Sequence, residues 1–291
     1  MTFSIAAWDP NAQPTPEWGV AVASKFLAVG AAVPYARAGA GAVATQALAN
    51  LAYGNDGLER LQSGSSAEET VGALTSADSD RAERQLGIVD AKGGAATFTG
   101  EKCFDWAGGV TGDGYCCQGN ILTGPDVVER MAEAFEETEG ELAVRLLSAL
   151  RAGDAAGGDK RGRQSAALLI VRENGGYGGG TDRTVDLRVD DHDRPLPELI
   201  RIFDLHSLFF ARPDQLEFTT IDAPLGAELR GALQTLGYEP GRSSEPYDDG
   251  LRRALYAYCG TENLEERWTD DAAIERRVLE YLRDQTGARA E

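Results

Sequence analysis

The chain has 291 residues, of which 42% are hydrophobic and 26% charged, values that suit a globular protein and exclude wholesale disorder. Its formal net charge of -19 argues against a nucleic-acid backbone or an anionic membrane surface as the main partner, because both would repel it. The opening MTFSIAAWDP lacks the basic and apolar regions of a secretory signal, and no run approaches the roughly 18 continuous apolar residues of a membrane span. A cytoplasmic protein with a small-molecule substrate is therefore expected. The four cysteines have no CxxC spacing, and adjacent Cys116 and Cys117 on a strand point to opposite faces. That pattern favours free thiols over a disulfide framework or structural zinc, and no cofactor is implied.

In chain order, TFSIAAWDP and WGVAVASKF read as two strands joined by the Pro-rich turn NAQPTPE. Both are rich in small and β-branched residues with little polar alternation, so both faces should be buried. VGAAVPYARAGAGAVATQA is a third extended region, whose Gly and Ala let another layer approach closely. A short helix is expected over 57–64. A stronger one starts at Ser65, with the capping-box spacing Ser65-x-x-Glu68 and with Ala67, Val71 and Leu74 on one face. RQLGIVD and AATFTG form a hairpin around AKGG, and WAGGVTGDGYCCQGNILTG continues in strand and turn.

Pro125 suits the first turn of a helix carrying Val127, Val128, Met131, Ala134 and Phe135. Gly140 interrupts it, and Leu142, Leu146, Leu147 and Leu150 mark a second helix. SAALLIVR and TVDLRVDD are the last strands, joined by the loop ENGGYGGG, and a helix over 197–210 closes the region. This order packs most economically as an α+β, four-layer αββα sandwich, with two antiparallel sheets face to face and a helical pair outside each. After ARPDQLEF the strong strand patterns cease, and short amphipathic helices follow at 225–236, 248–258 and 272–282. A boundary near 213 thus separates a domain over 1–213 from a small, mostly helical domain over 214–291.

Taken together, TFSIAAWDP, GVAVASKFLAVGAAVPYARAGAGAVATQA, RQLGIVD, QGNILTG, GGDKRGRQSAALLIVR and DLRVDDH resemble an uncharacterised prokaryotic domain-of-unknown-function family. That family is classed by fold with the Ntn (N-terminal nucleophile) hydrolases, and the resemblance covers nearly all of 1–212. The tail, LRGALQTLGYEPG followed by DDGLRRALYAYCGTENLEERW, is similar to the peptidoglycan-binding-like domain often attached to the family. It implies glycan recognition, although such a role fits poorly with a chain lacking an export signal.

Conventional hydrolase constellations are absent: there are two histidines, His192 and His206, no HExxH, no GxSxG elbow and no P-loop. Asp190, Asp191 and His192 are adjacent residues that rarely converge on one ion, so a solvated strand end is the better reading and no metal is assigned. His206 reads as a packed helix residue. The Ntn resemblance implies a mature N-terminal Thr, Ser or Cys whose α-amine, of unperturbed pKa about 8, accepts the proton. Thr2 is that residue once Met1 is removed; a retained Met1 would leave it an amide and only a β-branched strand start. Ser4, on the same strand face, is a lesser candidate.

Ser24 and Lys25 end the second strand, where Lys25 could lower a neighbour's pKa or simply leave the strand as a surface lysine. GGDKRGRQS gathers Lys160, Arg161 and Arg163, which could bind a carboxylate or phosphate, or pair with nearby acids such as Asp154 and Asp159. Asn120, Gln46 and Asn50 are polar amides in apolar surroundings, suited to buried hydrogen bonding or to an oxyanion. Three functions follow as expectations. The first is an Ntn-type hydrolase of an amide in a small anionic substrate, with Thr2, Lys25 and Asn120 catalytic and Ser24, Gln46, Asn50, Lys160, Arg161 and Arg163 binding substrate. The second is a non-catalytic binder of a glycan or protein, and the third a cyclohydrolase-type enzyme that does not use Thr2. The small-residue third strand region also allows a homo-oligomer, most simply a two-fold dimer.

Overall fold

The computed structural model describes residues 2–211 and 215–287. The chain divides into two compact units at Ile202/Phe203; the boundary expected at 213/214 lies outside the described residues.

In the first unit, β1 (Thr2–Asp9) and β2 (Glu17–Ser24) form the centre of a six-stranded antiparallel sheet. It also contains β7 (Gly108–Gly112), β8 (Tyr115–Asn120), β9 (Ser165–Val171) and β10 (Arg183–Val189), in the order β10-β9-β2-β1-β8-β7. Every residue of β2, β8 and β9 is buried, which accounts for their continuous apolar character. The third extended region is a hairpin of β3 (Pro34–Arg37) and β4 (Gly41–Ala47). With β5 (Arg84–Asp90) and β6 (Ala95–Thr99) it makes a second antiparallel sheet in the order β3-β4-β5-β6. The AKGG hairpin forms as expected: Asp90 Oδ1 accepts the Lys92 and Gly94 amides, and its Oδ2 accepts that of Ala67.

Helices cover the outer faces. α1 (Ala52–Gln62) and α2 (Ala67–Ser76) pack on the smaller sheet, and α3 (Asp126–Glu137) and α4 (Leu142–Ala155) on the larger. The four-layer αββα sandwich is thus the architecture of this unit. Two local expectations need correcting. The first helix starts at Ala52, ahead of 57. The capping box lies one residue later than Ser65-x-x-Glu68: the Ser66 hydroxyl accepts the Glu69 amide, and the Glu69 carboxylate accepts the Ser66 amide. On α4, Leu142, Leu146 and Leu150 are fully buried against the large sheet, each contributing up to about 1.5–3 kcal/mol. Cys116 and Cys117 do face opposite sides, and both thiols are fully buried.

The interior between the sheets changes character along the strands. At one end, Ala6, Trp18, Val20, Val22, Ala42, Ala44, Val89 and Cys116 form a dry apolar cluster. At the other, where β1 and β4 meet β5 and β8, the inward residues are Thr2, Ser4, Ser24, Gln46, Gln85, Gln118 and Asn120, all buried. Burying so many uncharged polar groups is tolerable only when they find partners.

The second unit is built on α6 (Ala223–Thr235), α7 (Asp249–Thr261) and α8 (Arg276–Thr286) around a core that includes Leu229, Leu233, Leu251 and Tyr258. Asp222 and Asp248 cap α6 and α7 by accepting the Leu225 and Leu251 amides. A short pair, β11 (Phe218–Thr220) with β12 (Ala273–Glu275), is an addition the sequence pattern did not suggest. Arg267 is buried in this unit. Its guanidinium lies 2.9 Å from Glu275, off the hydrogen-bonding direction, and donates to the carbonyls of Leu208 and Ser207 at 2.6 and 2.7 Å. The division between the units falls inside α5 (Pro195–Phe209).

Candidate active site

The polar end of the sandwich opens into a cavity of about 720 Å³. Thr2, Gln46 and Asn120 lie on its lining, and so does Arg161. The strand register explains why three of the site hydroxyls and amides meet: Thr2 is paired with Ser24 on one side and with Asn120 on the other, so one row of the large sheet carries all three. Thr2 Oγ1 and Ser24 Oγ are 3.1 Å apart.

Behind this row runs a continuous chain of amide hydrogen bonds. Gln118 Nε2 donates to Ser4 Oγ (2.7 Å), and Ser4 Oγ donates to Gln46 Oε1 (2.7 Å). Gln46 Nε2 donates to Gln85 Oε1 (2.8 Å) and, more weakly, to the Thr2 carbonyl (3.4 Å). Gln85 Oε1 also accepts Asn120 Nδ2 at 2.9 Å, while Gln85 Nε2 donates to the Gly119 carbonyl at 2.7 Å. Each bond polarises the next, and the chain fixes which way every amide points. Within this chain, Gln118 Oε1 makes no hydrogen bond to the described residues, seated where a side chain at Gly87 would otherwise stand.

Ser4 is fully buried with its hydroxyl committed in both directions, so it belongs to this scaffold and not to the cavity lining. Gln85 and Gln118 were not singled out from the sequence. The available signal was the one that marked Gln46 and Asn120: a carboxamide inside an otherwise apolar strand.

Other expected residues lie elsewhere. Lys25 is exposed and off the cavity lining; its backbone amide donates to Asp159 Oδ2 at 2.7 Å. Asp159 also accepts the Arg161 amide at 2.8 Å and lies 3.5 Å from its guanidinium, which sets Arg161 at the cavity. Arg163 is not there: it pairs with Asp154 at 2.7 Å, against a separate small recess. Lys160 points to the Asp105 carbonyl at 3.3 Å, outside the lining. The GGDKRGRQS turn thus splays its three cations apart, and only Arg161 joins Thr2.

Asn50 is drawn into another cluster. Asp78 accepts from Asn50 Nδ2 (3.1 Å), Tyr53 Oη (2.9 Å) and Arg84 Nε (3.0 Å). The Arg84 hydrogen bond holds the Asp78 carboxyl well below its usual range, and burial together with Asp78 pushes the Tyr53 hydroxyl up. Arg84 lies on the lining of the Thr2 cavity, whereas Asn50, Tyr53 and Asp78 line an open polar groove of about 670 Å³ between α1 and α2. Its central carboxylate is already saturated by protein donors, which leaves it little to offer a ligand.

The remaining lining of the Thr2 cavity is mostly apolar: Phe26, Val29, Val33, Leu48, Leu51, Phe104 and Ile121. Ser165 Oγ accepts the Val29 amide at 3.1 Å and donates to the Phe26 carbonyl, stapling that wall to β9. Cys103 also lines the cavity; burial raises its thiol pKa, so it is a weak nucleophile at neutral pH. His192 Nδ1 accepts the Arg194 amide at 2.9 Å, and His206 stacks between Phe203 and Phe210. No described helix is long and apolar enough to cross a membrane.

Fold and site together define a four-layer αββα protein with a mostly apolar cavity, floored by hydroxyls and amides, at one end of its paired sheets. The chain belongs to the family of unknown function DUF1028, which it matches over residues 2–199. Residues 209–282 match a family described as "Putative peptidoglycan binding domain". A crystal structure of a DUF1028 protein from Silicibacter pomeroyi is similar, with a TM-score of 0.64 and 36% sequence identity, covering 71% of this chain and 89% of that one. No curated protein matches the chain.

Proposed function

We propose that the first unit is an N-terminal-nucleophile hydrolase that cleaves an amide bond in a small anionic substrate, with Thr2 as nucleophile. The observation that carries this reading is the position of Thr2 Oγ1: on the lining of the cavity, at the start of a central strand, between the Ser24 hydroxyl and Asn120. With Met1 removed, the Thr2 α-amine is the base. It takes the Oγ1 proton as Oγ1 bonds to the substrate carbonyl carbon, then passes that proton to the leaving nitrogen as the C–N bond breaks. Water attacks the resulting ester, returns a proton to Oγ1 and releases the acid. Asn120 commits one amide N–H to Gln85 and has a second to offer the developing oxyanion. Arg161 supplies a planar fork for a substrate carboxylate. Lys25 and Arg163 have no role in this mechanism, because both lie off the cavity.

The test is an amidase screen on full-length protein whose intact mass shows loss of one methionine. Thr2→Ala should lower turnover at least ~10³-fold while Thr2→Ser keeps part of it. Undiminished turnover in Thr2→Ala sinks the mechanism and favours cyclohydrolase-type chemistry on the same sandwich. For the second unit, the match over 209–282 supports glycan recognition. Co-sedimentation of the full chain with purified peptidoglycan tests it, and protein left entirely in the supernatant refutes it.

A further inference from the structure

We propose that the substrate is an N-acylated amino acid whose acyl chain occupies the apolar wall of the Thr2 cavity and whose carboxylate meets Arg161. The proposal rests on the reading of Thr2 as nucleophile. Three observations carry it.

The first is the exposed apolar mouth. Phe26, Leu48, Leu51 and Phe104 are 55%, 58%, 50% and 70% exposed, and all four line the cavity. Most large hydrophobic residues of this unit are buried, so an exposed cluster around a single opening marks a binding surface. The second is its continuity with the interior. Val29 and Val33, almost wholly buried, extend the same wall inward toward Thr2, so an alkyl chain placed there stays in apolar contact from floor to mouth. The third is charge. In a chain of net charge -19, this lining carries three cations, Arg84, Lys102 and Arg161, against one carboxylate, Glu83; Arg84 is paired with Asp78, and Arg161 lies 3.5 Å from Asp159 with its side chain still 45% exposed. An apolar tail, an amide at Thr2 and an anionic head together describe an N-acyl amino acid. Its hydrolysis by the steps above yields a fatty acid and a free amino acid.

The test separates binding from chemistry. N-acetyl-, N-hexanoyl- and N-decanoylglycine are titrated into the full-length Thr2→Ala protein by calorimetry, and the same compounds are offered to the wild type. Affinity should rise about fourfold per methylene until the chain reaches the mouth, since each buried methylene contributes about 0.8 kcal/mol. N-methyldecanamide, which lacks the carboxylate, should bind at least ~10-fold more weakly than N-decanoylglycine, and Arg161→Gln should remove that difference alone. Leu48→Asp should flatten the chain-length dependence. Equal affinity for the acetyl and decanoyl compounds, or no binding of either, overturns the proposal. So does a Leu48→Asp change that converts a dimer to a monomer and leaves the chain-length slope intact, because the apolar mouth then belongs to a second copy. A normal binding gradient without hydrolysis, in wild type shown to have lost Met1, supports the ligand class and refutes Thr2 as the nucleophile.

Discussion

Replacing Gly87 by alanine tests whether the amide chain behind the cavity is a rigid scaffold. A Cβ at this position would stand 1.9 Å from Gln118 Oε1 and 2.4 Å from its Cδ, whereas an ordinary carbon–oxygen contact needs more than 3 Å. An amide at the far end of a side chain would normally swing aside at little cost. Gln118 has nowhere to swing: it is fully buried, and its Nε2 is tied to the Ser4 hydroxyl at 2.7 Å and the Ser4 carbonyl at 3.3 Å. Displacing it by more than 1 Å breaks the bond to Ser4, which costs about 1–3 kcal/mol for a buried polar group, and adds about 1–2 kcal/mol of overpacking. The expected loss is about 2–5 kcal/mol. Urea unfolding followed by the fluorescence of Trp18, buried in this unit, reads it, with the second unit's transition fitted separately. Gln118→Ala makes room for the new methyl, so the double variant should be clearly less destabilised than the sum of the two single changes. A Gly87→Ala loss below about 0.5 kcal/mol, or strict additivity in the double variant, would show that the amide chain is plastic and refute the reasoning.

Other expected outcomes follow from the same geometry. Asp78 is held below its ordinary pKa in the folded protein, so its contribution is present above about pH 4 and is lost as pH falls through the folded value. The gap in Tm between wild type and Asp78→Asn should therefore be flat from pH 5 to 7 and narrow below pH 4; a constant gap down to pH 3 contradicts this. In the second unit, Arg267→Ala removes the buried counter-charge of Glu275, whose carboxylate keeps the Arg277 and Val278 amides, and strands two carbonyls, and should cost about 3–5 kcal/mol by thermal denaturation. Arg267→Lys should recover less than half of that loss, because an ammonium cannot reproduce the guanidinium fork; full recovery would reduce the interaction to charge alone. With a thiol reagent at pH 7, Cys103 should react slowly in the native protein, and Cys116, Cys117 and Cys259 only after unfolding. Rapid native labelling of a second thiol would argue that the interior opens.

The layered fold was legible because strand and helix periods alternate cleanly. Buried strands such as SAALLIVR and the leucine face of α4 leave few other ways to pack. Small details were lost where local signals are degenerate. Ser65 and Ser66 are both good caps, and only the reach of Glu69 decides between them. The site was legible in part. Thr2, Ser24, Gln46, Asn120 and Arg161 lie together because register and turn geometry converge there. Lys160 and Arg163 flank Arg161 in sequence, yet the backbone turns with positive φ at Gly158 and Gly162, sending the three cations to different surroundings. Asn50 follows β4 closely, but Asp78, 28 residues away, claims its amide. Pairings between distant residues of this kind leave no mark on local composition.

The graded interior between the sheets has a thermal consequence. Its closed end is held by apolar burial, which weakens as water cools; its cavity end is held by directed amide bonds, which do not. On cooling, the layers around Trp18 and Val89 lose their grip first, while the Ser4–Gln46–Gln85–Asn120 chain keeps the pocket in register. Amide exchange in the cold should therefore quicken at the greasy end of the strands before it does so beside Thr2. Within this sandwich, the end expected to loosen first is the one farthest from Thr2.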